Sequence, residues 1–176
     1  MKLLFFSDIH GMAVPLERLL EHADALRADR LILLGDILYG GCCHPADGPE
    51  RVIKLLNARS GAITAVRGNC DDASDLSRLK FPVAPDHADL YCDDRTLFLT
   101  HGHLWNDRFL PELPGNSIFA MGHTHEPALR QTGGGITVFN PGSIALPRSG
   151  YPATFGFYDR GKLSVRLLAD GSELTL

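Results

Sequence analysis

The sequence predicts an α/β or α+β fold that forms one domain over residues 1–176. In the first half of the chain, apolar runs of strand length alternate with helical patterns, which is typical of parallel βαβ units. In the second half, strand-like runs follow one another without a helix between them, which favours a more antiparallel sheet. A chain of 176 residues with 44% hydrophobic residues can bury a sizeable core, so a disordered chain is excluded.

The first half begins with an apolar run at residues 3–6 that predicts a strand, and a second such run lies at residues 31–34. A helix is expected between them, with Pro15 in its first turn, where the missing N–H leaves no bond unmade. A strand, a helix and a strand form a βαβ unit, so these early strands should be parallel. The buried face of the helix is predicted from apolar residues at helical spacing, namely Leu16, Leu19, Leu20, Ala23 and Leu26.

A second helix is predicted to begin near Asp47, which is a suitable N-cap residue, with Glu50 at the spacing of a capping box. Its buried face should carry Val52, Leu55 and Leu56. A third strand is predicted at residues 62–66. Beyond residue 85, short runs at 88–91, 96–100, 118–121, 136–139, 154–158 and 163–168 predict further strands.

Side chains that bind metals follow five of these strands. Because α/β sheets collect their ligands at strand ends, we expect the five segments to meet at one rim. Imidazole nitrogens, carboxylates and one amide oxygen, without a thiolate, suit Mn²⁺, Fe²⁺ or Zn²⁺ better than a structural cysteine–zinc site. The five segments are Asp8-Ile9-His10, Gly35-Asp36, Gly68-Asn69, His101-Gly102-His103 and Gly122-His123-Thr124-His125.

These segments resemble, in the same order, the D-x-H, G-D, G-N, H and G-H-x-H pattern of the calcineurin-like metallophosphoesterase superfamily, and the resemblance covers most of the chain. It implies two mixed β-sheets packed face to face with flanking helices, a four-layer sandwich of the metallophosphoesterase type. It also implies two divalent metal ions per chain, with manganese first and iron, zinc or nickel as alternatives. Asp36 would bridge both ions. The first ion would be completed by Asp8, His10 and His125, and the second by Asn69, His101 and His123.

The implied reaction is in-line hydrolysis of a phosphoester by a hydroxide that bridges the metals, without a covalent phosphoenzyme. The expected catalytic ligands are Asp36, Asn69 and His101. Cys70 joins them as a candidate because many members of the superfamily carry histidine at its position, in G-N-H-[DE]. Small YfcE-like bacterial phosphodiesterases are similar to this chain in having cysteine there. Cys70 either orients and polarises the substrate or fills space beside the metals.

Four further features near the rim are candidates. His103 is predicted to contact the substrate or to support the ligands. Arg67, directly before Gly68-Asn69, is predicted to neutralise a phosphate or to pair with a carboxylate. Residues 39–48 follow Asp36 and are interpreted as a lid that shapes substrate choice, with a plain surface loop as the alternative. Residues 140–143, Asn-Pro-Gly-Ser, are interpreted as a turn that supports the rim.

Charge and hydropathy narrow the partners and the compartment. The net charge of -4 argues against general nucleic-acid binding. The N-terminal apolar run is shorter than the core of a signal peptide, about 7–15 residues, and no run approaches the roughly 20 apolar residues of a membrane span. We therefore expect a cytoplasmic protein with a small-molecule phosphoester substrate, and the resemblance suggests a homo-oligomer, a dimer or a tetramer. The cysteines form no C-x-x-C motif and are expected to be free thiols.

Three functions are compatible with these features. A dimetal phosphodiesterase is favoured. A phosphomonoesterase is the first alternative, because the ligand set alone does not distinguish a diester from a monoester. A non-catalytic protein-binding module is the second, because the retromer scaffold subunit shares the implied fold. The intact ligand set, including His10 and His125, argues against that module.

Overall fold

Two mixed β-sheets packed face to face form the centre of the molecule. The computed structural model describes residues 1–38 and 48–176, so the predicted N-cap Asp47 and residues 39–47 of the predicted lid lie outside the described residues. The elements in chain order are β1 (Lys2–Phe6), α1 (Ala13–Leu26), β2 (Arg30–Leu33), α2 (Gly48–Asn57), a 3₁₀ turn (Ser60–Ala62), β3 (Ile63–Val66), α3 (Ala73–Leu76), β4 (Val83–Ala84), β5 (His87–Cys92), β6 (Arg95–Thr100), β7 (Ile118–Ala120), β8 (Pro127–Gln131), β9 (Thr137–Pro141), β10 (Thr154–Asp159) and β11 (Lys162–Leu167).

The first sheet has the strand order β11-β10-β1-β2-β3-β4. Strands β1 to β4 are parallel, as the predicted βαβ unit requires, because the helical segments carry the chain back between them. Strands β10 and β11 form an antiparallel hairpin that pairs with the other edge of β1. The carboxyl ends of β1, β2 and β3 therefore lie at one edge of this sheet.

The second sheet has the order β5-β6-β7-β9-β8. The prediction of a more antiparallel sheet is correct for its two edge pairs, but it is wrong for the centre, where β6, β7 and β9 are parallel. The chain runs from β6 to β7 through residues 101–117 and from β7 to β9 through strand β8, and neither connection contains a helix. The helical pattern that usually marks a parallel connection in a sequence is therefore missing. Neither β4 nor β8 is predicted from the sequence, because β4 has two residues and β8 begins with proline and is largely exposed.

The interior of the sandwich is apolar and contains side chains from both sheets. Leu3, Phe5 and Ile32 of the first sheet pack in one cluster with Leu97 and Ile118 of the second sheet. All five side chains are buried with 0% exposure, so water is excluded between the sheets. This packing fixes the two strand-end rims against each other.

The helices cover the outer face of the first sheet. Helix α1 buries the predicted face, with Leu26 only partly buried. Helix α2 buries Val52, Ile53 and Leu56, and the predicted Leu55 is partly buried against the same cluster. Both predicted helical faces are therefore confirmed.

The outer face of the second sheet is covered differently. Trp105, Leu110 and Leu113, from the segment between β6 and β7, pack against buried Phe98 and Phe119. The fourth layer of the sandwich is thus a loop, and within the described residues the flanking helices belong to the first sheet. None of the helices in residues 1–38 and 48–176 combines the length and apolar character needed to cross a bilayer.

Candidate metal centre

The predicted ligands sit in loops that continue the strand pairing past the strand ends. After β1 and β2, the N–H of Asp8 donates to the carbonyl of Gly35 at 3.1 Å, and the N–H of His10 donates to the carbonyl of Asp36 at 3.0 Å. In the second sheet, the N–H of Gly122 donates to the carbonyl of His101 at 2.8 Å. These bonds hold neighbouring ligand loops in fixed register, so the backbone of the ligand residues is positioned by the sheets.

Two glycines of the motifs allow the loops to approach each other closely. A Cβ atom on Gly68 would overlap the Asp36 side chain and its backbone nitrogen. A Cβ atom on Gly122 would overlap the Ser7 hydroxyl and lie 3.0 Å from Asp8 Oδ2. The G-N and G-H motifs therefore need glycine because a side chain would occupy the space of the neighbouring ligand.

Backbone strain is concentrated at the ligands. Asp8, His10, Asp36, His123 and His125 have φ values of 57°, 48°, 51°, 67° and 63°, in the left-handed region. Each such residue costs about 1–3 kcal/mol, and this cost persists only where the surrounding structure imposes it. Five such residues at one rim indicate that the side-chain directions are set by function.

One group of ligand atoms comes from Asp8, His10 and His125, which lie within 4.8 Å of one another and can hold a metal ion. Asp8 Oδ1 is 3.2 Å from His125 Nε2 and 3.9 Å from His10 Nε2. His125 Nδ1 lies 2.6 Å from the carbonyl oxygen of Leu146. Since a carbonyl only accepts, Nδ1 carries the proton, and in the neutral ring Nε2 offers its lone pair to the centre.

A second group combines Asp8 with Asp36 and His101. His101 Nε2 is 3.4 Å from Asp36 Oδ2 and 3.0 Å from Asn69 Oδ1. His101 Nδ1 lies 2.7 Å from the carbonyl oxygen of Leu34, so this ring is oriented in the same way as that of His125. The His123 ring lies 5.1 Å from the His101 ring, centroid to centroid, and the N–H of His123 donates to Asp8 Oδ2 at 3.2 Å. The structure thus brings all seven predicted metal ligands to one rim.

The electrostatics of this rim fit divalent cations. Asp8 is 0% exposed and Asp36 is 2% exposed, and within the described residues neither pairs with a lysine or an arginine. In the same part of the chain, Asp8 Oδ1 is buried and accepts no hydrogen bond of acceptable geometry, although His125 Nε2 is 3.2 Å away. Buried carboxylates need a positive partner. A donor set of imidazole, carboxylate and amide supplies what divalent transition-metal ions bind.

The pKa values of the metal-free ligands reflect their burial and the short distances between them. Burial raises the pKa of Asp36, but the hydrogen bond and charge of His101 and the N–H of Cys70 outweigh it and leave the pKa well below its usual range. Burial lowers the pKa of His101, yet its contacts with Asp36 raise that pKa overall. His125 follows the same pattern, with Asp8 as the carboxylate that raises its pKa. Burial, with the charge of His101, lowers the pKa of His123.

Cys70 lies beside the ligands and is partly exposed. Its N–H donates to Asp36 Oδ1 at 2.9 Å, and its Sγ is 3.2 Å from Asn69 Nδ2. Burial and the charge of Asp36 raise the pKa of the Cys70 thiol to about 11, so in the metal-free protein the thiol is neutral at pH 7. Cys70 is therefore near the reacting region without being one of the grouped ligand donors.

Asp71 is a supporting residue that the sequence analysis missed. Its Oδ1 accepts from the N–H of Ile37 at 2.7 Å and its Oδ2 from the N–H of Gly68 at 2.8 Å, which ties the loop after β2 to the loop after β3. Burial raises the pKa of Asp71, and these N–H groups counteract that effect. The acidic residue after Gly68-Asn69-Cys70 is the available sequence signal, but its partners are far away in the chain.

The Asn-Pro-Gly-Ser segment supports the rim, as predicted, but it is not a turn throughout, because Asn140 and Pro141 are the last residues of β9. Asn140 Nδ2 donates to the carbonyl of Gly122 at 2.8 Å. Ser143 Oγ donates to the carbonyl of Asp8 at 2.9 Å and accepts from the N–H of Leu146 at 2.8 Å. The segment thereby links the loops of Asp8, His123 and His125.

His103 and Arg67 lie farther out than the grouped ligands. His103 Nδ1 is buried and has no hydrogen-bond partner among the described residues, and burial and the charge of His101 lower the pKa of His103. Arg67 is partly exposed, with Nη2 3.9 Å from Asp86 Oδ1. This contact agrees with the predicted carboxylate pairing, and a phosphate contact by Arg67 stays a prediction.

A cleft of about 410 Å³ opens beside His123. Its lining comes from Gly102 and His103, from residues 106–108 and from Thr124. The volume lies in the range of about 300–1,000 Å³ that is usual for small-molecule sites. A cleft with this lining offers space for a ligand that touches the rim at one end.

Sequence and structure comparisons identify the family. Residues 1–162 match the calcineurin-like phosphoesterase superfamily domain. The chain belongs to the calcineurin-like phosphoesterase superfamily. It is 41% identical to the phosphodiesterase YfcE of Escherichia coli (strain K12) over 175 residues, which cover 98% of this chain and 95% of the relative.

Solved structures agree with this assignment. The structure of the E. coli phosphoesterase YfcE matches with a TM-score of 0.94 and 40% identity, covering 99% of this chain and 97% of that chain. Zinc-bound Vps29 from Entamoeba histolytica matches with a TM-score of 0.62 at 17% identity, covering 99% and 96%, which supports the fold alone. The predicted family, the two-sheet fold and the phosphodiesterase class of the relatives are therefore confirmed.

Proposed function

We propose that this protein is a metal-dependent phosphodiesterase that hydrolyses a small phosphodiester. One observation carries the proposal: Asp8, Asp36 and His101 converge in a chain that is 41% identical to a phosphodiesterase over nearly its full length. The seven ligand candidates come from five separated segments, so their convergence depends on the whole fold. A structural site would not require buried carboxylates such as Asp8 and Asp36, which have no arginine or lysine partner among residues 1–38 and 48–176.

The proposed ligand assignment follows the family pattern. Asp8, His10 and His125 hold one divalent ion, and Asn69, His101 and His123 hold the other, with Asp36 between them. The position of Asp36 supports this arrangement, because its Oδ2 is 3.7 Å from His10 Nε2 and 3.4 Å from His101 Nε2, one imidazole from each set. Manganese is the first choice of metal, and iron, zinc or nickel would suit the same donors.

The protein contributes orientation and protonation state to the reaction. Divalent cations held by these residues would acidify a bound water and would offset charge on the phosphoryl oxygens. His101 and His125 are held by the carbonyls of Leu34 and Leu146, so each presents Nε2 toward the centre when neutral. Asp71 keeps the two loops that carry Asp36 and Asn69 together through backbone N–H bonds. His103 is proposed to contact the substrate at the mouth of the cleft.

The protein is expected to favour diesters over monoesters because of Cys70. A thiol is smaller than an imidazole, and in the metal-free protein burial and the charge of Asp36 raise the pKa of this thiol to about 11. A neutral, smaller group leaves room for a second ester arm and stabilises a dianionic monoester less than an imidazolium would. Cys70 is therefore proposed to orient the substrate beside its leaving group.

The setting of the reaction is part of the same proposal. The substrate is a small molecule in the cytoplasm, and the net charge of -4 gives no support to general nucleic-acid binding. A homo-oligomer, a dimer or a tetramer, is proposed from the family resemblance.

The function is tested with two p-nitrophenyl substrates. The protein is loaded with Mn²⁺ and assayed with bis-p-nitrophenyl phosphate and with p-nitrophenyl phosphate. We expect faster turnover of the diester, about two metal equivalents per chain, and reversible loss of activity in EDTA. Faster turnover of the monoester would support the phosphomonoesterase, and no turnover of either ester would support the non-catalytic module. Full activity at one metal equivalent or fewer would contradict the dimetal assignment.

A further inference from the structure

The cleft beside His123 has two unlike walls. One wall is the metal rim, represented by His123 and Thr124, and the other is the loop after β6, represented by His103, Asn106 and Arg108. A diester bound at the metals has two ester arms, and the cleft of about 410 Å³ is large enough for one of them. The second wall is therefore placed to select among arms.

A tight turn at residues 106–109 shapes the second wall. Asn106 Oδ1 accepts from the N–H of Arg108 at 2.9 Å and from the N–H of Phe109 at 3.2 Å. The backbones of Asn106 and Phe109 also exchange hydrogen bonds of 3.1 and 3.3 Å. Asparagine favours such turns because its side chain bonds to the following backbone. We call residues 106–109 the Asn106 turn.

The Asn106 turn is anchored to the second sheet. The ring of Trp105 packs edge-on against Phe98 at 5.6 Å between centroids and against His87 at 5.4 Å. Arg130 on β8 reaches Asp107, with 3.2 Å between Nη2 and Oδ2. These contacts fix the turn before a ligand arrives, which reduces the ordering cost of binding. The Arg130 contact also compensates the one acidic side chain that lines the cleft.

Arg108 is left as the uncompensated charge of the cleft. It is exposed, and no carboxylate of the described residues lies within ion-pair distance of its guanidinium. An arginine offers a planar fork of donors that matches a carboxylate or a phosphate. Its backbone N–H is bound within the Asn106 turn, and Arg108 is one of the residues that line the cleft.

We propose that Arg108 determines substrate specificity by binding a second anionic group, a carboxylate or a phosphate, on the ester arm that occupies this cleft. The inference rests on the proposed phosphodiesterase function and adds the substrate class to it. The preferred substrate is thus a phosphodiester of an alcohol that itself carries a negative charge. His103 and Thr124 then contact the connecting part of that arm.

The test uses three p-nitrophenyl diesters that differ in the other arm. That arm ends in a carboxylate, in a phosphate or in the neutral methyl ester of the carboxylate. One of the two diesters with an anionic arm should have a kcat/KM roughly three- to tenfold higher than that of the diester with the neutral arm, mainly because its KM is lower. Arg108→Gln should bring this ratio close to one. Arg108→Lys should keep part of it, because lysine retains the charge but not the fork.

A matched control separates a local contact from the overall charge. Arg160, in the turn between β10 and β11, has an 87% exposed side chain that pairs only with Asp159 among the described residues. Arg160→Gln should retain the wild-type ratio. An equal loss in Arg108→Gln and Arg160→Gln, or an unchanged ratio in Arg108→Gln, would overturn the proposal, as would a wild-type preference for the neutral arm.

Binding measurements distinguish failure of this inference from failure of the proposed function. Cleavage of bis-p-nitrophenyl phosphate tests the function alone, because neither of its arms carries an anion. Calorimetric titration with 5-phosphonopentanoate and with its carboxylic methyl ester tests Arg108 without turnover, because a phosphonate has a P–C bond in place of the ester bond. We expect the metal-loaded wild type to bind the free carboxylate more tightly and Arg108→Gln to bind both equally. Equal binding of both compounds by the wild type would contradict the inference even if the diesterase activity is present.

Discussion

The metal rim and the Asn106 turn both contribute to the lining of one cleft, and they are held in different ways. The rim residues Asp8 and Asp36 are buried, have positive φ values, and are fixed by backbone bonds that continue the pairing of β1 with β2. Residues 107–109 of the Asn106 turn are exposed, and the turn is held by the Asn106 side chain, by two backbone hydrogen bonds between Asn106 and Phe109, and by the contact of Arg130 with Asp107. The rim thus depends on backbone bonds between loops that follow different strands, whereas the turn depends on bonds within itself and on a few side chains.

From this difference we expect the reaction to depend on the rim and the choice of substrate to depend on the Asn106 turn. A change in the rim alters positions that several loops share, so it should affect metal binding and all substrates together. A change in the Asn106 turn should alter the ranking of substrates and leave the metal content as it was. Substitutions at the rim, and competition of protons with metal ions, test the first of these expectations. Substitutions of Cys70, which lies beside the ligands, test whether the rim also influences the choice of substrate.

The largest effect is expected for Asp36→Asn. The substitution removes negative charge from the residue proposed to lie between both cations, so activity toward bis-p-nitrophenyl phosphate should fall by more than about a hundredfold. Metal content, measured by plasma mass spectrometry, should fall as well. Asp89→Asn, at an exposed position on β5, serves as the control and should behave like the wild type. Activity of Asp36→Asn within tenfold of the wild type would show that Asp36 is not the bridge.

A smaller effect is expected for Asp71→Asn. An amide has one accepting oxygen, so it cannot satisfy the N–H groups of both Ile37 and Gly68 with the geometry of the carboxylate. We expect metal affinity to weaken by about 10–100-fold, the range typical of changes to residues that orient metal ligands. Titration of the apoprotein with Mn²⁺ measures the effect. Unchanged affinity would mean that the loops after β2 and β3 keep their positions without Asp71.

The pH dependence of metal binding should follow the raised pKa values of His101 and His125. In the metal-free protein each histidine keeps its proton to higher pH than usual, because Asp36 and Asp8 stabilise the charged ring against the opposing effect of burial. Metal binding must displace these protons, so the apparent affinity should fall as pH decreases, by up to about tenfold per pH unit for each proton displaced. Calorimetry at pH 6, 7 and 8, in buffers with different ionisation enthalpies, measures both affinity and proton release. Equal affinities at pH 6 and pH 8 would contradict the expectation.

The smallest effect is expected at Cys70. Cys70→Ala should retain metal binding, because Cys70 is outside the proposed ligand set. Cys70→His places an imidazole beside the leaving group, so the ratio of diester to monoester turnover should shift toward the monoester or diester cleavage should decrease, by about tenfold or less. Assays of both variants with the two p-nitrophenyl esters measure the ratio. A wild-type preference for the monoester, or no change in either variant, would remove the proposed role of Cys70.

Much of the site could be predicted from the sequence because its candidate ligands lie in short segments that directly follow predicted strands. The run of residues 3–6 followed by Asp8 and His10 predicts both a strand and candidate metal ligands at its end. The faces of α1 and α2 follow equally from local spacing. Glycine before Asn69 and before His123 marks the close approach that the structure explains, since a Cβ atom there would overlap a neighbouring ligand loop.

Other features depend on contacts that no local pattern encodes. The parallel arrangement of β6, β7 and β9 is reached without a helix, so periodicity suggested an antiparallel sheet. Asp71 supports Ile37 from 34 residues away, and Ser143 supports Asp8 from 135 residues away. Arg108 lies in an exposed loop whose importance depends on where Arg130 and Asn106 hold it.

The sequence by itself determined the family, the ligand types and the strands that end at them. These properties depend on donor chemistry and on spacing within a few residues, which are present in the linear chain. Only the tertiary structure decided which ligands come into contact, how their rings are oriented and where the cleft opens. Those properties arise when two sheets bury their facing apolar sides and bring separate strand ends to a common rim, and that arrangement depends on many distant contacts at once.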